Sequence, residues 1–391
     1  MDKQKIWCSF PFNGIFLSGN SEIKYCCASR TILGDINKTT IEEAMSSDAA
    51  KSIRQSMIEG KWDSNCVVCK GVEDVGGKST RIQDMYSMDP ETVTVDDFTP
   101  EFLDLRWNNT CNLTCNYCIP EFSNKWASIK NEKIIGIASE NESDFFDYIA
   151  KNKDKVKKIF LLGGEPLLHK QNLRLTDILP DSIYYILTNL SIKNLPTNPN
   201  VQKFLTVTKF DWGVSFDCIG KKFEYVRHGA DWDLFVENLK YMQQQTVDRG
   251  SFFSVHPLYG LYSAYNLVEF YDFVYENNLF HTGGIWWQSL LHNSGGCINN
   301  MTKKMKDGAI AEIDRCVSKY PDGMGINMLL EFRKQLVIDL DRPDDPAYMD
   351  GVLKEFIDLE EKYLPNKEHS FAQLWPEVYE LIKEGCTKNG S

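Results

Sequence analysis

The sequence has no run of about 18 consecutive apolar residues, the length a bilayer crossing needs, and its opening residues, MDKQKIWCSF, contain no apolar stretch of signal-peptide length. Basic residues are outnumbered. Lys and Arg total 43 against 55 Asp and Glu, a formal net charge of −12. That balance argues against broad binding to a nucleic-acid backbone, where Lys and Arg must replace counterions, and leaves room only for a local basic patch. The basic run 151–158 reads as the solvated end of a helix. Histidine is scarce, with six scattered residues. No internal repeat or low-complexity tract occurs. Cytoplasmic residence is the expectation, with neither membrane nor nucleic acid as a partner. What is present is apolar material: 42% hydrophobic and 12% aromatic residues in 391. That supports a sizeable core and a chain longer than one ordinary domain.

Cysteine is the residue in excess. The 12 cysteines stand at 8, 26, 27, 66, 69, 111, 115, 118, 218, 297, 316 and 386. Tight clusters in a chain expected to meet a reducing compartment point to metal and away from a disulfide framework.

Three segments are expected. Residues 1–95 carry five cysteines and short strand-like pieces, and end in a turn-rich linker over 87–100. Between Ile41 and Ile58 apolar residues recur at helical spacing, with Thr40 as N-cap, Glu43 completing a capping box and Gly60 as the stop. Residues 96–300 alternate strand and helix signals. Strands are expected at 102–107, 158–162, 183–188, 211–216, 252–255 and 283–287, separated by crossovers of βαβ length. Active residues in such folds sit at the C-terminal ends of the strands. Residues 301–391 read as an acidic helical segment that packs as a cap.

The first central strand runs straight into Cys111-Asn-Leu-Thr-Cys115-Asn-Tyr117-Cys118, a C-x3-C-x2-C loop. Thiolates suit iron–sulfur clusters, and three of them leave one iron of a cubane open to an outside ligand. Zinc is the competing occupant. The spacing, with an aromatic before the last cysteine, resembles the signature of the radical S-adenosylmethionine (SAM) superfamily. The resemblance implies that SAM chelates the open iron and is cleaved reductively to a 5′-deoxyadenosyl radical, which takes hydrogen from a substrate. It also implies that Tyr117 contacts adenine.

Further residues extend the likeness. Gly163-Gly164-Glu165-Pro166, after the second strand, resembles the GGEP motif that binds the SAM amino group; glycines also let a backbone turn and approach closely. Thr188 ends the third strand, at a position where such families place a polar residue near SAM or substrate. Ser215 and Asp217, followed by Arg227 and Gly229, resemble an S-x-D…R-x-G pattern. By that likeness Ser215 meets the ribose and Arg227 the SAM carboxylate, which a guanidinium fork suits. Arg227 in a surface ion pair is the plain alternative. Asp217 binds substrate or caps the next element. Of Trp286 and Trp287 one should be core, because strand neighbours point to opposite faces. Cys218 reads as a small buried residue, and His228 as structural.

Cys8, Cys26-Cys27 and Cys66-x2-Cys69 form a second constellation. Four thiolates can fully ligate one more cluster; structural zinc is the alternative. With Leu33-Gly34-Asp35-Ile36 and the helix ending near Arg54, this stretch resembles the SPASM/twitch domain, which houses auxiliary 4Fe–4S clusters. Here it precedes the barrel, and Ser21 stands where that domain has glycine. The likeness favours Cys26 over Cys27 as ligand, with Cys8, Cys66 and Cys69 completing the set.

Together these readings give an α/β fold: a partial (β/α)6 radical SAM barrel with an N-terminal twitch-like auxiliary domain and a helical C-terminal cap. The likeness is specific over residues 1–75 and 102–230. It implies SAM, a SAM-binding 4Fe–4S cluster, one auxiliary 4Fe–4S cluster, oxygen sensitivity, and an electron donor such as a flavodoxin or ferredoxin. The substrate is expected to be a peptide or protein. A small molecule such as a nucleotide or sugar derivative is the alternative, and a non-enzymatic iron–sulfur electron carrier the rival from another class.

Overall fold

The computed structural model describes residues 6–74, 79–83, 88, 91–134, 136–279, 284–289, 296–297, 301–341, 343–365 and 367–386. Residue 283 of the expected sixth strand and residues 87, 89 and 90 of the expected linker lie outside these. The chain is mixed α/β, with parallel strands dominating. By backbone proximity it forms two compact units. One comprises Met1–Cys111, Pro120–Leu187 and Thr197–Phe210; the other comprises Asn112–Ile119, Thr188–Pro196 and Asp211–Ser391.

The first unit contains β1 (Gly14–Leu17), β2 (Glu22–Lys24), β3 (Gly34–Asp35), β4 (Phe102–Leu105), β5 (Lys158–Leu161) and most of β6 (Ile183–Thr188), in the order β3-β2-β1-β4-β5-β6. β1, β4, β5 and β6 run parallel; β2 and β3 are antiparallel additions. β1 and β4 are buried along their whole length, as the apolar sequence GIFL and the largely apolar FLDL favour; Asp104 is the one charged residue buried with them. The crossover from β5 to β6 is the helix Gln171–Ile178, and the helix Ser139–Lys151 precedes β5.

The helix expected between residues 41 and 58 forms as two, Ile41–Ser46 and Asp48–Ile58. The capping box is present: the Glu43 amide donates to Thr40 Oγ1 and the Thr40 amide to a Glu43 carboxylate oxygen. Ser47 breaks the run because it is extended (φ −61°, ψ 156°) and caps the second helix by accepting from the Ala50 amide. Arg54, 1% exposed, is bonded to three carbonyls, those of Pro11, Met45 and Val95, and so ties the helix to the N-terminal turn.

In the second unit the last three residues of β7 (Lys209–Val214) pair in parallel with β8 (Phe253–Val255), which pairs in parallel with β10 (Gly284–Ile285). β9 (Leu258–Tyr259) and β11 (Gln288–Ser289) make a separate parallel pair. Helices Gly220–Val226, Trp232–Val247 and Leu267–Glu276 connect the strands. The C-terminal segment is helical, with Lys303–Lys319, Ile326–Ile338, Pro346–Ile357 and Pro376–Gly385. Its aromatic residues pack on one another and on a connecting helix: Phe371 stacks on Phe356 at 4.1 Å within the segment, and Trp375 meets Tyr225 of the helix Gly220–Val226 at 5.6 Å. Among the described residues no helix is long and apolar enough to cross a membrane.

Candidate active site

Within the first unit, β4 delivers the chain to the loop that reaches Cys111. Trp107 Nε1 donates to Asn172 Oδ1 at 2.8 Å, the Thr110 amide to Asn108 Oδ1 at 2.8 Å, and the Cys111 amide to Asn124 Oδ1 at 2.9 Å. The Gly163-Gly164 turn lies directly against this loop. Both glycines are left-handed, with φ of 72° and 54°. A Cβ on Gly164 would stand 2.4 Å from the Thr110 carbonyl oxygen. The Glu165 amide donates to that same oxygen at 2.8 Å. Glu165 is fully buried, and one carboxylate oxygen accepts from the Leu167 amide, capping the short turn Pro166–Leu168. The absence of side chains at 163 and 164 is therefore what lets the GGEP turn press on the backbone that presents Cys111.

The second constellation lies in the same unit. Cys8, Cys26, Cys66 and Cys69 line one small pocket, together with Tyr25 and Arg81. Cys27 does not line it and is exposed. Cys8 comes from the chain before the turn Phe10–Asn13, and Cys26 from just beyond β2. Cys66 and Cys69 sit three residues apart at the start of the helix Val67–Asp74, a spacing that puts both on one face. Burial pushes the Cys8 thiol up to about 12, and raises Cys26 and Cys66 as well. Tyr25 Oη lies 3.3 Å from Cys66 Sγ. Ser21, where the likeness expects glycine, has φ +73°, the conformation glycine favours. Among the described residues no three His, Cys, Asp or Glu side chains converge tightly enough to hold a single metal ion.

Within the second unit, the loop carrying Cys115, Tyr117 and Cys118 is braced by main-chain bonds. The Thr114 amide donates to the His228 carbonyl at 2.9 Å and the Asn116 amide to the Val226 carbonyl at 2.8 Å. The Cys118 amide donates to the Cys115 carbonyl, closing the turn between the two thiols. Asn112 bonds the Ser191 carbonyl and the Asn189 side chain, which fixes the start of the loop beside the chain after Thr188. Thr188 Oγ1 accepts from the Leu190 amide, and its carbonyl accepts from the Ser215 amide at 3.0 Å. Thr188, Ser215, Asp217, Arg227 and the last two cysteines are thus gathered on neighbouring chain segments.

Asp217 is the hub. It is 2% exposed and accepts from Tyr117 Oη at 2.6 Å, Arg227 Nη2 at 3.0 Å and the Leu258 amide at 2.7 Å. Burial works against the Arg227 charge, and Asp217 more than offsets it, so the guanidinium stays protonated. Arg227 Nε is buried and has no hydrogen-bond partner among the described residues. Burial drives the Cys115 thiol up to about 12, with Arg227 pulling the other way. A buried guanidinium with an unused donor fits an anionic ligand. Asp217 was open between substrate contact and helix cap on sequence grounds; it is an ion-pair partner. The participant that sequence reasoning missed is Lys367, in the C-terminal segment.

Cys218 is 1% exposed and behaves as a small core residue. Trp287 is buried, its indole donating to Tyr271 Oη at 3.1 Å, while Trp286 is 45% exposed; one of the two is core, as expected, though both lie between β10 and β11 and not within a strand. His228 enters through its carbonyl.

No family model matches the chain, and no curated protein matches it. Solved structures similar to it include "Native anSMEcpe with bound AdoMet", at 17% identity and a TM-score of 0.42, covering 69% of this chain and 68% of that one. SuiB of Streptococcus suis bound to S-adenosylmethionine gives 15% identity and 0.41, covering 70% of this chain and 64% of that one. SuiB bound to precursor peptide SuiA gives 14% and 0.40 over the same shares. At this distance the chain's own residues carry the functional reading.

Proposed function

We propose that the chain is a radical SAM enzyme in which Cys111, Cys115 and Cys118 hold a 4Fe–4S cluster and Gly163 to Pro166, Thr188, Ser215, Tyr117 and Arg227 bind SAM. The observation that carries this reading is the C-x3-C-x2-C loop braced by backbone bonds against the segment that bears a buried arginine with an unused donor. When bound, the cluster and SAM supply a one-electron reductive cleavage that yields a 5′-deoxyadenosyl radical. The residues of the chain bind and orient. Arg227, held by Asp217, offers its guanidinium to a carboxylate. Glu165, buried and hydrogen-bonded, offers an acceptor beside the turn that abuts Cys111. The apolar strands β1 and β4 keep water from the cluster loop's base. An external one-electron donor of the flavodoxin or ferredoxin kind completes the system, acting in the cytoplasm.

Cys8, Cys26, Cys66 and Cys69 hold one auxiliary 4Fe–4S cluster in this reading. Four thiols lining one pocket could fully ligate such a cluster, and zinc held by the same four thiolates is the alternative. The twitch-like likeness of this segment favours a peptide or protein substrate.

Anaerobic reconstitution with iron and sulfide, then SAM and a reductant, tests the assignment. Wild type should release 5′-deoxyadenosine and Cys115→Ala should release none above background. Cluster-loaded wild type that forms no 5′-deoxyadenosine in the presence of its reductant, or purified chain holding only zinc, would sink the proposal. The auxiliary site has its own expected result. Cys26→Ser should lose about four irons per chain, one cubane's worth, whereas Cys27→Ser keeps the wild-type iron count. The reverse pattern would reassign the ligand.

A further inference from the structure

Lys367 belongs to the C-terminal segment, yet its ammonium reaches the cysteine loop. It donates to Asn116 Oδ1 at 2.9 Å and to the Tyr225 carbonyl at 2.5 Å, and lies 4.1 Å from the centroid of the Tyr225 ring. Asn116 stands between Cys115 and Cys118, and Tyr225 stands two residues before Arg227. The two acceptors therefore sit on the two chain segments that the Thr114–His228 and Asn116–Val226 bonds already join. The lysine is held from its own side as well. Glu360, a few residues earlier, accepts from Tyr225 Oη at 2.7 Å and from the Phe371 amide at 2.5 Å, which docks the segment on the helix Gly220–Val226.

We propose that Lys367 is a positioning residue of the cysteine site, bracing the Cys115–Cys118 turn against the chain that carries Arg227 and placing a positive charge where the cluster gains its electron. This inference rests on the proposed function. Net charge and hydrogen bonding near the sulfur atoms are among the levers that set a cluster's potential. A cation beside the site favours the more negative, reduced form. Burial draws the Lys367 ammonium down to about 7, and Glu360 and Cys115 both work to keep the charge. The segment read as a packing cap thus contributes a side chain to the chemistry.

The test uses the reconstituted full-length chain in an anaerobic redox titration. The signal followed is the electron paramagnetic resonance signal that changes on adding SAM, which separates this cluster from an auxiliary one. Lys367→Met and Lys367→Gln should move that midpoint to lower potential at wild-type iron content, and Lys367→Arg should restore it. If the Met variant takes up less iron, the Gln variant carries the measurement, since its amide can still bridge the two acceptors. A Gln variant with wild-type iron and an unchanged midpoint, or an Arg variant as shifted as Gln, overturns the inference and leaves the proposed function standing. A wild-type chain that takes up no iron overturns both.

Discussion

Asp217→Ala should lower the stability of the cluster-free chain by about 3–5 kcal/mol, the usual cost of leaving one member of a buried ion pair behind. Asp217 accepts three hydrogen bonds, and both it and Arg227 are almost wholly buried. Without the carboxylate the guanidinium loses its counter-charge in a place where its Nε already has no partner among the described residues. Tyr117 Oη and the Leu258 amide lose their acceptor in the same stroke. Asp217→Asn keeps an acceptor oxygen and the side-chain shape, so its loss should be smaller. Removing both charges, as in Asp217→Ala with Arg227→Met, should recover part of the deficit. Urea unfolding at fixed pH gives the answer as a shift in midpoint at constant slope. An Asp217→Ala variant within experimental error of wild type would mean that Arg227 is stabilised by something other than this pair.

Gly164→Ala is expected to be worse still. At φ +54° the left-handed conformation alone costs an alanine about 1–2 kcal/mol. The new methyl would also sit 2.4 Å from the Thr110 carbonyl oxygen and 3.1 Å from that of Asn108. These are backbone atoms, which cannot rotate out of the way. The chain must separate the GGEP turn from the loop, and the Glu165–Thr110 bond goes with it. A total of about 4 kcal/mol or more places the substitution among the severe ones. Gly163→Ala meets the Arg106 side chain instead, at 2.8–2.9 Å. Arg106 Cγ and Cδ can rotate away but its Cβ is fixed by the backbone, so Gly163→Ala is also destabilising, though milder than Gly164→Ala, whose closest contact is a carbonyl oxygen at 2.4 Å. Thermal or urea unfolding of the two variants checks the order, and a Gly164→Ala chain as stable as Gly163→Ala would sink the close-approach argument.

The parallel strands were legible because each is a short β-branched or aromatic run between polar stretches. Ile183–Thr188 forms over the expected residues, and Lys158–Leu161 differs by one. β7 begins two residues early, at Lys209, because a lysine at a strand end can reach solvent while its backbone pairs. The capping box at Thr40 and Glu43 was readable from spacing alone; the break at Ser47 was not, because a serine inside an apolar period does not announce that its hydroxyl will cap a new turn. The cysteine loop, the GGEP turn and Arg227 could be picked out because unusual residue types recur at strand ends. The partnership of Asp217 with Tyr117 could not, since it joins residues 100 apart. Lys367 gave no signal at all: a lysine in a Lys-Glu-His run reads as solvated surface, and only the folded chain brings it to Asn116.

The parallel pairing of β1 with β4, in register from Gly14↔Phe102 to Leu17↔Leu105, has a practical corollary. Trimming away residues 1–95 would remove more than the thiol-rich appendage. It would bare the whole length of β4 as an open edge whose apolar side chains are now covered. Such edges recruit foreign strands and aggregate. The auxiliary segment and the strand that launches the C-x3-C-x2-C loop therefore stand or fall together, and a shortened chain would be expected to precipitate before its chemistry could be assayed.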